Sequence, residues 1–146
     1  MNTLSFDEQV ALLSKDLSGR LPYKVIINYP HTSYILGEPK TRENAVLTGI
    51  DPIRREFSVG SKYTRISGLH IVFKGNILIK PYLRPMSSMT EEEEEEYESL
   101  VAWHESYEIV DWLNSHHFDY RGLIPLGLAI DVTTLEDNPY NDEFIY

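Results

Sequence analysis

The chain has 146 residues, 42% hydrophobic and 25% charged, the length and balance of one globular domain, which excludes a disordered polymer or a fibrous repeat. It contains no cysteine, so disulfides, thiolate metal sites and a cysteine nucleophile are excluded together, leaving five histidines and the carboxylates as the metal-ligand stock. The net charge of −10 is divided by sign: 12 Lys/Arg against 7 Asp/Glu up to Thr90 (+5), then Arg121 alone against 16 acids from Glu91 onward (−15). Such asymmetry suits either a basic face for a polyanion beside an acidic arm, or two parts of one fold that attract each other.

Met1 is followed by no basic-then-apolar leader, and no run of about 18 apolar residues occurs, so neither signal-peptide secretion nor membrane spanning is expected. Ser5 with Glu8 forms the pattern of a capping box. Phe6, Val10, Leu13 and Leu17 recur at helical spacing, and Gly19 offers a stop, predicting a helix over about Phe6 to Leu17. The β-branched and aromatic stretch from Tyr23 to Tyr29 reads as a strand ended by Pro30. Further strands are expected at Asn44 to Ile50, Glu56 to Val59 and Tyr63 to Ile66. Leu69 to Phe73 and Ile77 to Lys80 read as a hairpin turning on Gly75-Asn76. Short sequential strands leave no room for crossover helices, so an antiparallel meander or small curled barrel of about five strands is expected.

Pro81 and Pro85 are expected to stop the sheet. Thr90 with Glu93 then repeats the capping-box pattern and opens one long helix reaching Asn114 to His117. Leu100, Trp103, Tyr107 and Val110 make its apolar stripe, widened by Val101, Trp112 and Leu113, which should pack on the sheet. Leu126 to Val132 suits a buried last strand or turn, and Thr133 to Tyr146 a loosely held acidic tail. The expected class is α+β in a single domain, 1–146. Residues 1–85 carry a helix and a basic sheet, 86–132 an acidic long helix and return segment, and 133–146 the tail.

Three constellations could carry chemistry. His104, Asp111, His116, His117 and Asp119 have the ligand types of a thiolate-free metal site, but no H-x-x-x-H face appears, and histidines at a helix end account for the same residues. His117, Asp119, Tyr120 and Arg121 could form an acid–base and anion-binding set for a small hydrolase, with Asp119 orienting His117. Against this, Arg121 is the single cation among 16 acids and suits pinning carboxylates. The basic residues of the front half, interleaved with Tyr23, Tyr29, Tyr34, Tyr63 and Tyr82, are what a module for single-stranded nucleic acid needs, although alternating tyrosines are also ordinary sheet material. The glutamates from Glu91 to Glu96 suit a solvated helix start, and less simply a row of DNA-like charge.

Three blocks carry a resemblance. They are Lys15-Asp16-Leu17-Ser18-Gly19-Arg20-Leu21-Pro22-Tyr23, the stretch from Ile79 through Pro81-Tyr82-Leu83-Arg84-Pro85 to Thr90, and Asp111-Trp112-Leu113-Asn114 through His117-Phe118-Asp119-Tyr120-Arg121-Gly122-Leu123-Ile124. In these blocks the chain resembles small uncharacterised proteins encoded by phages and prophages of gut Bacteroidales. The resemblance implies a source, and with it the cytoplasm of a bacterial host, but brings no activity, cofactor or catalytic residue. The resemblance, together with the absence of catalytic motifs, implies a non-enzymatic phage accessory or interaction protein with a host or phage protein as partner. Its contact surface is expected on the sheet at Lys80, Tyr82 and Arg84, with His117, Asp119, Tyr120 and Arg121 as a second group of binding candidates; no cofactor, metal or membrane contact is expected.

Overall fold

The structure, a computed structural model, describes residues 4–33, 40–51, 53, 56–61, 69–72 and 79–141. Helix α1 (Phe6–Arg20) opens with the expected box: the Glu8 N–H donates to Ser5 Oγ at 3.2 Å and the Ser5 N–H to Glu8 Oε1 at 3.0 Å. Gly19 does not end the helix. A Cβ there would stand 3.1 Å from Asn114 Nδ2, so the glycine serves close packing. The chain leaves α1 through a 3-10 turn (Leu21–Tyr23) and reverses at Lys24, in the left-handed region with φ 55°.

Five strands follow: β1 (Ile26–Ser33), β2 (Lys40–Asp51), β3 (Glu56–Ser61), β4 (Leu69–Val72) and β5 (Lys80–Pro85). Two short ones come after the helices, β6 (Phe118–Asp119) and β7 (Ile130–Asp131). The sheet order is β4-β3-β2-β1-β5-β6, with β7 also on β5. Strands β1 to β4 form the antiparallel meander, and β5 lies antiparallel to β1 with Ile27 opposite Pro81. The sheet is mixed, however, because β6 and β7 run parallel to β5. The helical segment between β5 and β6 is the crossover that parallel pairing requires. Among the described strands the order is open, with β4 at one end and β6 at the other, so the curled-barrel alternative does not hold.

Other boundaries also differ. Pro30 does not end β1; the strand continues to Ser33 with a register shift after Pro30. Pro81 and Pro85 do not stop the sheet but stand near the two ends of β5, where a missing N–H is tolerated. The expected strand at Tyr63 to Ile66 and the turn of the expected hairpin lie outside the described residues. Most of the second strand of that hairpin lies outside them too; among the described residues β4 pairs with β3 and β5 with β1.

The long helix is two helices, α2 (Glu91–Trp103) and α3 (Ser106–Ser115). Thr90 and Glu93 make the expected capping box. The break falls at His104 and Glu105, both extended, with the His104 N–H still donating to Leu100 O at 2.9 Å. His104 Nδ1 meets the Glu108 carboxylate across it. The break turns α3 so that Leu113 and Asn114 face inward. Much of the expected stripe is therefore not buried: Trp103 is 83% exposed and Tyr107 64%, with Val101 and Val110 also exposed, while Leu113 is buried and Leu100 and Trp112 half-buried.

Period-two alternation divides the sheet between two clusters. Val25, Ile27 and Tyr29, with Ala45, Leu47 and Leu83, face Val10, Leu13 and Leu17 of α1. Ile26, Val46 and Tyr82 face the opposite way, onto Val132, Ile130 and Tyr140. The C-terminal segment is thus a cover, not a loose tail, as far as Asn141. Tyr140 Oη accepts from the Ile26 N–H at 3.0 Å and donates to Tyr82 O at 2.7 Å, so it is bonded on both sides. None of the described helices is long and apolar enough to cross a membrane.

Candidate functional site

Where α1, α3 and β6 meet, a polar cluster forms around a fully buried ion pair. Arg20 and Asp16, one helical turn apart, are both fully buried; Arg20 Nε and Nη2 donate to the two Asp16 oxygens at 2.7 and 3.1 Å. Nη2 also donates to Phe118 O at 2.6 Å, tying α1 to β6. Arg121 brings its Nε to 3.3 Å from Asp16 Oδ1, so one carboxylate stands between two guanidiniums. Both guanidiniums lie just over 5 Å from the centre of the Tyr120 ring, within cation–π range, and Tyr120 donates to Asn114 Oδ1 at 2.9 Å. Arg121 thus pins a carboxylate, that of Asp16 on α1. The i,i+4 spacing of Asp16 and Arg20 was the available signal for this pair.

His117 and Asp119 are adjacent to the cluster but are not assembled into an acid–base pair. The Asp119 carboxylate accepts from the Leu123 and Ile124 N–H groups, both at 2.9 Å, and so holds the turn after β6. His117 sits in the left-handed region at φ 62°, its carbonyl accepting the Arg84 N–H at 2.8 Å. Its ring stacks on Tyr140 with centroids 3.9 Å apart. Burial, followed by the positive charges of Arg20, His116 and Arg84, pushes its pKa down to about 4, so the imidazole is neutral at pH 7. Among the described residues no group of three or more His, Asp or Glu comes together to hold a metal ion.

The β5 candidates are likewise engaged. Tyr82 is buried; its hydroxyl donates to Asn44 Oδ1 at 2.6 Å and accepts from Asn28 Nδ2 at 3.2 Å. Arg84 holds Glu93 bidentately at 2.7 and 2.8 Å and lies 4.2 Å from the centre of the Phe118 ring. Those hydrogen bonds hold the Glu93 carboxyl down at about 2. Lys80 is half-buried. The strand end is therefore a joint between the basic and acidic halves, which offers Arg84 little freedom to meet a partner. Tyr29 is buried in the α1-facing cluster, so neither it nor Tyr82 provides a stacking platform for bases.

Among the described residues a different surface is open. Between α2 and α3 runs a shallow open groove lined by Glu95, Glu96, Ser99, Leu100 and Trp112. Trp112 Nε1 donates to Glu96 Oε2 at 3.0 Å, and the Trp112 ring packs near Tyr97, His116 and Phe118. Trp103 follows Leu100 by three positions and so continues the row of groove residues along α2, while Tyr107 and Val110 share a side of α3. No protein-family model matches the chain, and no match was found among the curated proteins or the solved structures.

Proposed function

We propose that this chain is a non-enzymatic interaction protein, of the phage accessory kind its sequence resembles, and that it meets its protein partner through the corner formed by α2 and α3. The observation that carries this is the exposure of Trp103 and Tyr107 on the same two helices whose residues line an open groove. Exposed aromatic side chains are costly to leave in water and are enriched in interfaces. The residues that could have performed acid–base chemistry support the same view from the other side. Asp119 is occupied by two backbone amides, Tyr120 by Asn114, and Arg121 by Asp16.

Capture of the tagged chain from a bacterial lysate, with and without nuclease, tests the proposal when the wild type is compared with Trp103→Ser/Tyr107→Ser. A nuclease-resistant protein lost from the variant is the expected result. Recovery of the same proteins by both forms would overturn this surface, and recovery that collapses with nuclease would indicate nucleic acid as the partner.

A further inference from the structure

We infer that the partner of this corner is a cationic amphipathic protein segment, with a lysine or arginine seated in the groove between Glu95, Glu96 and Trp112 and an apolar side chain against Trp103; the inference rests on the interaction function proposed above. The argument begins with charge. From Glu91 to Ser115 the two helices carry ten carboxylates and no lysine or arginine. One of the ten, Glu93, is neutralised by Arg84. A surface of this sign repels nucleic acid and anionic lipid. A second copy docked face to face by the same surface would set carboxylates against carboxylates. A purely apolar partner would strip water from Glu95 and Glu96 without compensation. A basic partner is attracted over distance and supplies the missing countercharge on contact.

The groove itself fits one long basic side chain. Leu100 and the Trp112 ring offer an apolar wall for the methylene stem, and the two glutamates stand where the charged head would emerge. Glu96 is held in place by the Trp112 indole, so it is oriented before any partner arrives. Trp103 lies seven positions further along α2 than Glu96, roughly 10 Å at the α-helical rise. A complementary helix would therefore carry its basic and apolar contacts about two turns apart, the usual arrangement of a helix laid in a groove.

The test uses the full chain and synthetic helical peptides. The chain's 2 tryptophans are Trp103 and Trp112, one at the end of α2 and one on α3 in the groove wall, so intrinsic tryptophan emission reports on this pair of helices. An amphipathic peptide with lysine and leucine seven positions apart should shift that emission, with an affinity that weakens as salt is raised. Glu95→Gln/Glu96→Gln should weaken binding at least tenfold, while glutamine at 96 retains an acceptor for the indole. An otherwise identical peptide with glutamate for lysine should not bind. Equal binding of both peptides, or an effect of the glutamine pair within twofold, would overturn the inference, as would sedimentation showing that the corner is filled by a second copy. The two proposals separate cleanly. A partner lost from Trp103→Ser/Tyr107→Ser but retained by Glu95→Gln/Glu96→Gln leaves the interaction function standing and removes the basic chemistry; a partner retained by both variants removes the surface itself.

Discussion

Arg20 and Asp16 form a bidentate ion pair with both side chains fully withdrawn from water. The same guanidinium bonds to the Phe118 carbonyl, 98 residues further along the chain. Isolated charges in such a position would cost many kcal/mol, and the pair survives because each partner satisfies the other. It joins the first helix to the short parallel strand that closes the crossover.

Breaking this pair from one side is expected to be severe. Asp16→Asn leaves Arg20 and Arg121 facing each other without a carboxylate, and should lower the unfolding free energy by about 3–5 kcal/mol. Asp16→Leu/Arg20→Leu should recover part of that loss, because the fully buried Arg20 charge is then not stranded and only the partly exposed Arg121 loses its carboxylate. Urea titrations of the single and double variants measure both; a double variant as unstable as the sum of the singles would contradict the account.

Acid should weaken the fold in a window assigned to His117. Its folded pKa of about 4 lies below its ordinary 6.5, so between these values the unfolded chain takes up a proton that the folded chain refuses. Stability is therefore full above pH 6.5 and falls as pH drops toward 4, by on the order of 3 kcal/mol. His117→Phe keeps a ring for Tyr140 without a titrating group, and should flatten this part of the stability profile. An unchanged slope in the variant would place the acid sensitivity elsewhere.

A second acid step belongs to Glu93. Its carboxyl is held down to about 2 from 4.5 by Arg84, so its contribution is present above about 4.5 and is lost as pH falls through about 2. Glu93→Gln should remove that lower step while leaving the His117 window in place, as read by circular dichroism along an acid titration.

The C-terminal cover predicts a local effect. Tyr140→Phe removes the acceptor for the Ile26 N–H and the donor to Tyr82 O, and should cost about 1–3 kcal/mol. Amide exchange at Ile26 should accelerate, while amides bonded between β2 and β3 remain protected. Exchange unchanged at Ile26 would show that the cover contributes nothing there.

The exposed corner predicts the opposite behaviour. Trp103→Ser and Tyr107→Ser should each leave the thermal midpoint nearly unchanged, within about 0.5 kcal/mol, because little packing is lost. A large destabilisation by either would show that these rings support the fold.

What the chain's own order of residues determined is local. The two capping boxes start α1 and α2 where Ser5 and Thr90 predict, because capping needs only residues three positions apart. The meander from β1 to β4 also follows from strands that succeed one another closely in sequence, and the class is α+β as the element order implies. The tertiary structure decided what local patterns leave open. Gly19 has the look of a stop, yet its use is set by Asn114, 95 positions away. Trp103 and Trp112 share one apolar periodicity, and only the break at His104 and Glu105 places Trp103 in water and Trp112 against Phe118. Tyr140 looks like part of an acidic tail until it meets Ile26 and Tyr82. The physical reason is the same in each case. Spacing along the chain states which residues share a side of an element, but whether that side meets water or protein depends on partners that only the folded chain brings near.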